Sequence, residues 1–269
     1  MRFKFNNEQA IFLSLKIVVQ HHFGTSPVLE NISFQVKGGE IFGIIGPNGS
    51  GKSTLIRTMS GLLKPSQGEI LFHNKDIGSY RKRDLAKLIA VLEQEGIPPL
   101  SFTIEEVVAM GRYPWLRPLA DLSHLDEQIV EDVLKNLGLW KIKSQAVNAL
   151  SGGQRQMVCL ARAMVQQPKV LILDEPTTFL DIGHQMLVMD HVREWHQSQD
   201  ITVIMVLHDL NLASQYCDRL LLLDKGCVQS YGKIHHVLKP ETISAVYKTE
   251  VIMIEHPIQH VPQFLLTSQ

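Results

Sequence analysis

The chain has 269 residues, with 26 Lys and Arg against 27 Asp and Glu and a formal net charge of −1 at pH 7. Charge this even excludes a general nucleic-acid binder, whose basic surface must displace counterions. Hydrophobic residues at 45% and charged residues at 20% exclude a disordered chain.

Three cysteines, Cys159, Cys217 and Cys227, are too few and too odd in number for a secreted disulfide framework and point to a reducing compartment. The start is basic, but Lys16 soon interrupts Ile11-Phe12-Leu13-Ser14-Leu15 and no small-residue cleavage site follows, so no signal peptide is expected. Nowhere do about 18 apolar residues run together, so no transmembrane helix is expected either. The expectation is a soluble, cytosolic chain.

In chain order, 28–36 and 68–72 read as strands of a small antiparallel sheet, around an apolar strand at 41–45 and an amphipathic helix at 52–63. From about 83 to 168 the pattern turns helical, over 84–95, 104–110, 126–137 and 154–167, with Pro98-Pro99, Pro114 and Pro118 breaking the connections. Apolar strands follow at 170–173, 201–207 and 220–223, with a helix over 181–197. A run at 228–231 reads as a further strand outside the parallel set, grouped with the small antiparallel sheet of 28–36 and 68–72. Uninterrupted apolar runs suit parallel strands buried on both faces. Alternating strands and helices predict an α/β fold with a mostly parallel sheet and an inserted helical region.

Gly46-Pro47-Asn48-Gly49-Ser50-Gly51-Lys52-Ser53, followed by Thr54, fits G-x-x-x-x-G-K-[ST] between a strand and a helix. Glycines let consecutive N–H groups turn inward around an anion, and the helix N-terminus adds partial positive charge. Lys52 reaches β- and γ-phosphates in such a loop, and the Ser53 hydroxyl ligates Mg²⁺. The loop alone fits kinases, GTPases and ATPases equally. The strand at 170–173 ends in Asp174-Glu175. A carboxylate at the C-terminal end of a buried strand sits beside the phosphate loop in this architecture. Asp174 is expected to hold Mg²⁺ through its waters. Glu175, pointing the other way by strand alternation, is expected to polarise the attacking water.

Leu150-Ser151-Gly152-Gly153-Gln154, before a helix expected at 155–167, resembles the signature motif of the ATP-binding cassette (ABC) ATPases. It offers a second anion-binding nest at a helix N-terminus. The resemblance implies a P-loop NTPase (RecA-like) α/β core with an N-terminal antiparallel β subdomain and an inserted α-helical subdomain. The whole chain then forms one ATPase domain: a core over about 13–90 and 168–232, a helical subdomain over about 91–167, and a short C-terminal extension over 233–269. It also implies that two cassettes sandwich two ATPs head-to-tail, each nest completing the opposite site.

Further motifs fit. Gln94 resembles the Q-loop glutamine that contacts Mg²⁺ or the attacking water. Thr177-Thr178-Phe179-Leu180-Asp181 resembles the D-loop, His208 the switch histidine, and Phe23 the adenine-stacking aromatic. The segment 103–114, with Asp181-Ile182-Gly183-His184-Gln185 and Leu207-His208-Asp209-Leu210-Asn211, is similar to importers of ferric siderophores, haem and cobalamin. Glu93 stands where that branch often has proline, and Met157 where Arg is common. The resemblance implies a second copy of the chain, a pair of integral-membrane permease subunits, and indirectly a substrate-binding protein, at the cytoplasmic face of the cell membrane. A soluble ABC ATPase without a transporter is the rival, disfavoured by the single cassette and by Gly111-Arg112-Tyr113-Pro114. The histidine pairs His21-His22 and His235-His236 lack a cysteine cluster and a shared ligand face, so they do not read as metal sites.

Overall fold

A computed structural model of the chain describes residues 14–23, 26–93, 101–117 and 120–266. Strands β1 (Ser14–Phe23) and β2 (Ser26–Lys37) form an antiparallel pair, and β3 (Ile41–Ile45) leads into helix α1 (Lys52–Met59). Strands β4 (Gln67–Phe72) and β5 (Lys75–Asp76) complete a four-stranded sheet in the order β2-β1-β4-β5. Helix α2 (Lys82–Ala86) and strand β6 (Ile89–Leu92) follow, then helices α3 (Ile104–Ala109), α4 (His124–Asn136) and α5 (Gly152–Val165). After them come β7 (Val170–Asp174), α6 (Ile182–Gln199), β8 (Thr202–Val206), α7 (Leu210–Tyr216), β9 (Arg219–Asp224) and β10 (Cys227–Lys233). Short helices α8 (Ile234–Val237) and α9 (Pro240–Tyr247) and the hairpin of β11 (Val251–Glu255) and β12 (Pro262–Leu266) close the described chain.

The second sheet runs β10-β9-β3-β8-β7-β6, parallel throughout except for β10 against β9. Its inner strands are buried along their length because their two faces serve two cores. Ile41, Ile45, Leu171, Leu173, Val203 and Met205 pack with α3–α7. Phe42, Ile44, Val170, Ile172, Ile204 and Val206 pack with α1 and the antiparallel sheet, through Leu29, Ile32, Phe34 and Ile70. Strand alternation therefore divides apolar residues between two layers rather than between core and water.

Two expectations are corrected. The predicted helix over 84–95, preceding Gln94, is α2 followed by strand β6, whose Ile89 and Leu92 pair with Val170 and Leu173 of β7. Its apolar spacing fits a helix, yet Ile89 and Val91 are β-branched and an open edge beside β7 takes them. The strand expected at 228–231 is not in the antiparallel group: β10 is the antiparallel edge of the larger sheet. It still touches that group, since the Tyr231 hydroxyl donates to the Gln35 carbonyl at 2.5 Å.

Within the helical region the Arg112 guanidinium is buried against Asp126 at 2.7 Å and donates to the Val165 carbonyl at 2.7 Å, tying the 111–115 segment to α4 and α5. Asp126 also closes a capping box with Ser123 at the start of α4. Burial works against its charge, but the hydrogen bonds from Ser123 and Arg112 outweigh burial and hold the carboxyl below its usual value. Arg112→Ala strands that carboxylate and is expected to cost about 3–5 kcal/mol in urea unfolding at pH 7. Because the folded-state value is the depressed one, the stabilisation is present above the ordinary Asp value of about 3.9 and fades as pH falls below it. A stability loss that is the same at pH 7 and pH 3 would contradict this ion pair's role.

Candidate active site

β3, β7 and β8 end at the same edge of the sheet, and each delivers one part of the site. From β3, the loop of residues 46–51 turns through glycines at φ 152° (Gly46), 76° (Gly49) and 102° (Gly51), a backbone region that other residues rarely enter. Gly51 caps α1 without a side-chain hydrogen bond, leaving the helix N-terminus to an incoming anion. Lys52 is only 5% exposed. Its Nζ donates to the carbonyls of Gly46 at 2.8 Å and Pro47 at 2.9 Å, bridging the loop from within. Burial lowers its pKa from the ordinary lysine value, against the opposing charges of Glu175 and Asp174.

From β7 come the two carboxylates. Asp174 is buried, and burial first, then the Glu175 charge, raise its pKa; Arg57 and a Ser53 hydrogen bond oppose them. Its Oδ1, like Ser50 Oγ, is buried with no hydrogen-bond partner among the described residues. A small cavity of about 70 Å³ opens here, lined among others by Ser53, Arg57, Glu93 and Asp174. An unsatisfied carboxylate oxygen beside a hydroxyl is a hard, all-oxygen donor set that fits Mg²⁺. Arg57 is a site residue beyond those the motifs name. Its position four residues after Ser53, on the same face of α1, was the available signal.

Glu175 departs from expectation in its geometry. Strand alternation stops at Asp174, and Glu175 sits in the left-handed region at φ 53°. A non-glycine residue held there is strained, and the turn brings its carboxylate to His208. Nε2 of His208 lies 2.5 Å from Glu175 Oε1, while the Thr178 hydroxyl donates to Oε2 at 3.2 Å. His208 stands one residue beyond β8, after Leu207, and the next residue, Asp209, caps α7 by accepting from Asn211 N at 2.7 Å and Leu212 N at 3.1 Å. The histidine is thus fixed between a strand end and a helix cap.

The expected start of the helix after the signature segment is corrected from Arg155 to Gly152. Ser151 is the N-cap: its hydroxyl accepts from Gln154 N at 3.2 Å, and Gln154 Oε1 accepts from Ser151 N at 3.0 Å. Ser-x-x-Gln is a capping box, the sequence signal that places the N-cap at Ser151. Ser151, Gly152 and Gln154 are exposed and Gly153 is buried. Gln156 Nε2 donates to the Pro176 carbonyl at 2.9 Å, fastening α5 to the end of β7. Asp181 caps α6. Met157, where Arg is common, is buried in the core under α5.

The structure brings together Lys52, Ser53, Asp174, Glu175 and His208, and Gln156 ties α5, the helix that Ser151 caps, to the run after Glu175. Gln94 and the side chain of Phe23 lie outside the described residues. Phe23 itself ends β1.

Residues 29–178 match the family described as ABC transporter. The chain is 42% identical over 223 residues to the petrobactin import ATP-binding protein FpuC of Bacillus anthracis, covering 83% of this chain and 82% of the relative. It is 35% identical over 240 residues to the ferric enterobactin transport ATP-binding protein FepC of Escherichia coli, covering 89% of both. Against the uncharacterized ABC transporter ATP-binding protein YvrA of Bacillus subtilis, 36% identical over 91% of this chain, it spans 55% of the relative's length. Among solved structures it superimposes on the ADP conformation of MJ1267, an ATP-binding cassette of an ABC transporter, with TM-score 0.78 and 26% identity, over 88% of this chain and 97% of that one. With the family matched over more than half of its length and relatives of 35–42% identity covered almost end to end, the chain belongs to the ABC transporter family.

Proposed function

We propose that this chain is the ATP-hydrolysing subunit of an importer for an iron-siderophore, haem or cobalamin. The likeness to FpuC and FepC favours the siderophore. The observation that carries hydrolysis is the Glu175 carboxylate held by His208 and Thr178 beside the phosphate loop. Lys52 and the N–H groups of the loop hold the β- and γ-phosphates, and Phe23 stacks on the adenine. Glu175 accepts a proton from water as its oxygen attacks the γ-phosphorus and the bond to the ADP oxygen breaks. His208 orients that carboxylate and faces the γ-phosphate. Ser53 and Asp174, with Gln94, would hold Mg²⁺, which neutralises charge on the β- and γ-phosphate oxygens when bound.

Two copies pair head-to-tail, so that the Ser151–Gly153 turn and Asp181 of one copy close on the ATP of the other. Among the described residues no helix is long and apolar enough to cross a membrane. The spans belong in this reading to a separate permease pair above the cytoplasmic face, fed by a substrate-binding protein. Tyr113 and Trp115, 63% and 41% exposed, present the helical region to that permease. Nucleic acid has no part in it. Deleting the gene is expected to abolish growth on the ferric siderophore as sole iron source, and the Glu175→Gln gene is expected not to restore it. Growth that fails on cobalamin or haem instead would reassign the cargo; unimpaired growth on all three would overturn the importer.

A further inference from the structure

The two signature glycines differ in their surroundings. A Cβ added at Gly152 meets nothing within 4 Å, whereas one added at Gly153 would stand 2.2 Å from Cδ2 of His184, 2.7 Å from its Cγ and 2.8 Å from its Nε2. The imidazole of His184 thus occupies the space that a side chain at 153 would need. That ring is held from its other side. Asp181 Oδ1 accepts from the backbone N–H of His184 at 2.9 Å, and Asp181 Oδ2 lies 2.8 Å from Nδ1. One histidine therefore touches the signature turn with one edge and the last residue of the D-loop with the other.

The same two stretches are joined a second time where Gln156 Nε2 reaches the Pro176 carbonyl. Between these fastenings the chain exposes Phe179 at 95% and Ile182 at 79%. The D-loop tip thus projects from a base that is pinned to α5.

We propose that His184 is a positioning residue for ATP hydrolysis: seated on Gly153 and bound to Asp181, it fixes the signature turn and the D-loop of one copy as a single surface offered to the other. This rests on the head-to-tail pairing proposed above. It also gives Gly153 a reason within its own chain, in addition to any approach of phosphate. A shift of about 1 Å in a group that stabilises transferring charge is enough to cost about a hundredfold in rate. The phosphate loop lies on another element, so ATP binding to a single copy is expected to be indifferent to residue 184.

The test is a double-mutant cycle on the full chain. His184→Ala is expected to lower kcat by about tenfold to a hundredfold and to weaken ATP-driven association measured in the Glu175→Gln background, with the affinity of the single copy for a fluorescent ATP analogue unchanged. Gly153→Ala is expected to be as damaging or more so. The double variant is expected to be no worse than His184→Ala alone, because removing the ring makes room for the added methyl. Gly153→Ala costing the same factor with or without His184 overturns the proposal, as does a His184→Ala chain with normal kcat and association. A Glu175→Gln chain that never associates in ATP overturns the head-to-tail reading itself and the proposal with it. Loss of analogue binding by His184→Ala would mark a general folding defect and would also count against a positioning role.

Discussion

Glu175→Gln is expected to lower steady-state ATP turnover by about a hundredfold to ten-thousandfold, the range over which a positioned general base contributes, while leaving ATP binding intact. The substitution is isosteric and changes little else. Glutamine keeps an oxygen to accept from the Thr178 hydroxyl, which now donates to Oε2 at 3.2 Å, and its amide still reaches the His208 ring, now 2.5 Å from Oε1. The left-handed backbone at residue 175, φ 53°, is set by the turn after β7 and not by the charge. What disappears is the proton acceptor and the negative charge beside Lys52 and Asp174. With that charge gone, a bound triphosphate meets less repulsion, so the variant is expected to hold ATP at least as tightly and to persist as an ATP-bound pair. Phosphate release measured in single turnover, together with size-exclusion chromatography in ATP, checks both halves. Undiminished phosphate release would remove Glu175 from its assigned role.

The parts of this site that were legible in the sequence are those written within one short stretch. The phosphate loop needs a strand, a turn and a helix in immediate succession, and 41–53 carries all three; the observed strand has the bounds expected of it. Asp174 follows from an apolar run ending in acid. What escaped reading depends on partners far along the chain. Leu85, Leu88, Ile89 and Leu92 have helical spacing, and only the open edge of β7, some eighty residues away, makes a strand of the last four residues of that run. The residues at 228–231 were recognised as a strand, but which sheet they join is decided by β9. The contact of Glu175 with His208 spans 33 residues, and the fit of His184 on Gly153 joins two helix starts that no spacing rule relates. Local chemistry was readable; the pairing of distant pieces was not, because sheet order and side-chain packing are settled by the whole core.

Lys52→Ala is expected to remove ATP binding rather than turnover alone. The ammonium is buried at the base of the loop, where it bridges the carbonyls of Gly46 and Pro47 at 2.8 and 2.9 Å. Burial disfavours its charge, and Glu175 and Asp174 favour it, so the site already holds a cation poised between loop and carboxylates. A triphosphate brings further negative charge to this point, and alanine leaves that charge facing Asp174 and Glu175 without a cation between them. Two charge-assisted hydrogen bonds at about 1.5–2 kcal/mol each amount to a weakening of about a hundredfold to a thousandfold in Kd. The effect is readable without any assay of hydrolysis. ATP at about a hundred times its Kd stabilises a folded protein by about 2.7 kcal/mol; at the same concentration a variant bound a hundredfold more weakly gains only about 0.4 kcal/mol. The rise of Tm with ATP should therefore nearly vanish in Lys52→Ala. Lys52→Arg should recover little of it, since a planar guanidinium does not fit a slot shaped for a compact ammonium that donates to two adjacent carbonyls. A Tm in ATP that rises as far in Lys52→Ala as in the parent chain would show that the triphosphate does not depend on this lysine, and the phosphate loop would lose its assignment as the anchor of the nucleotide.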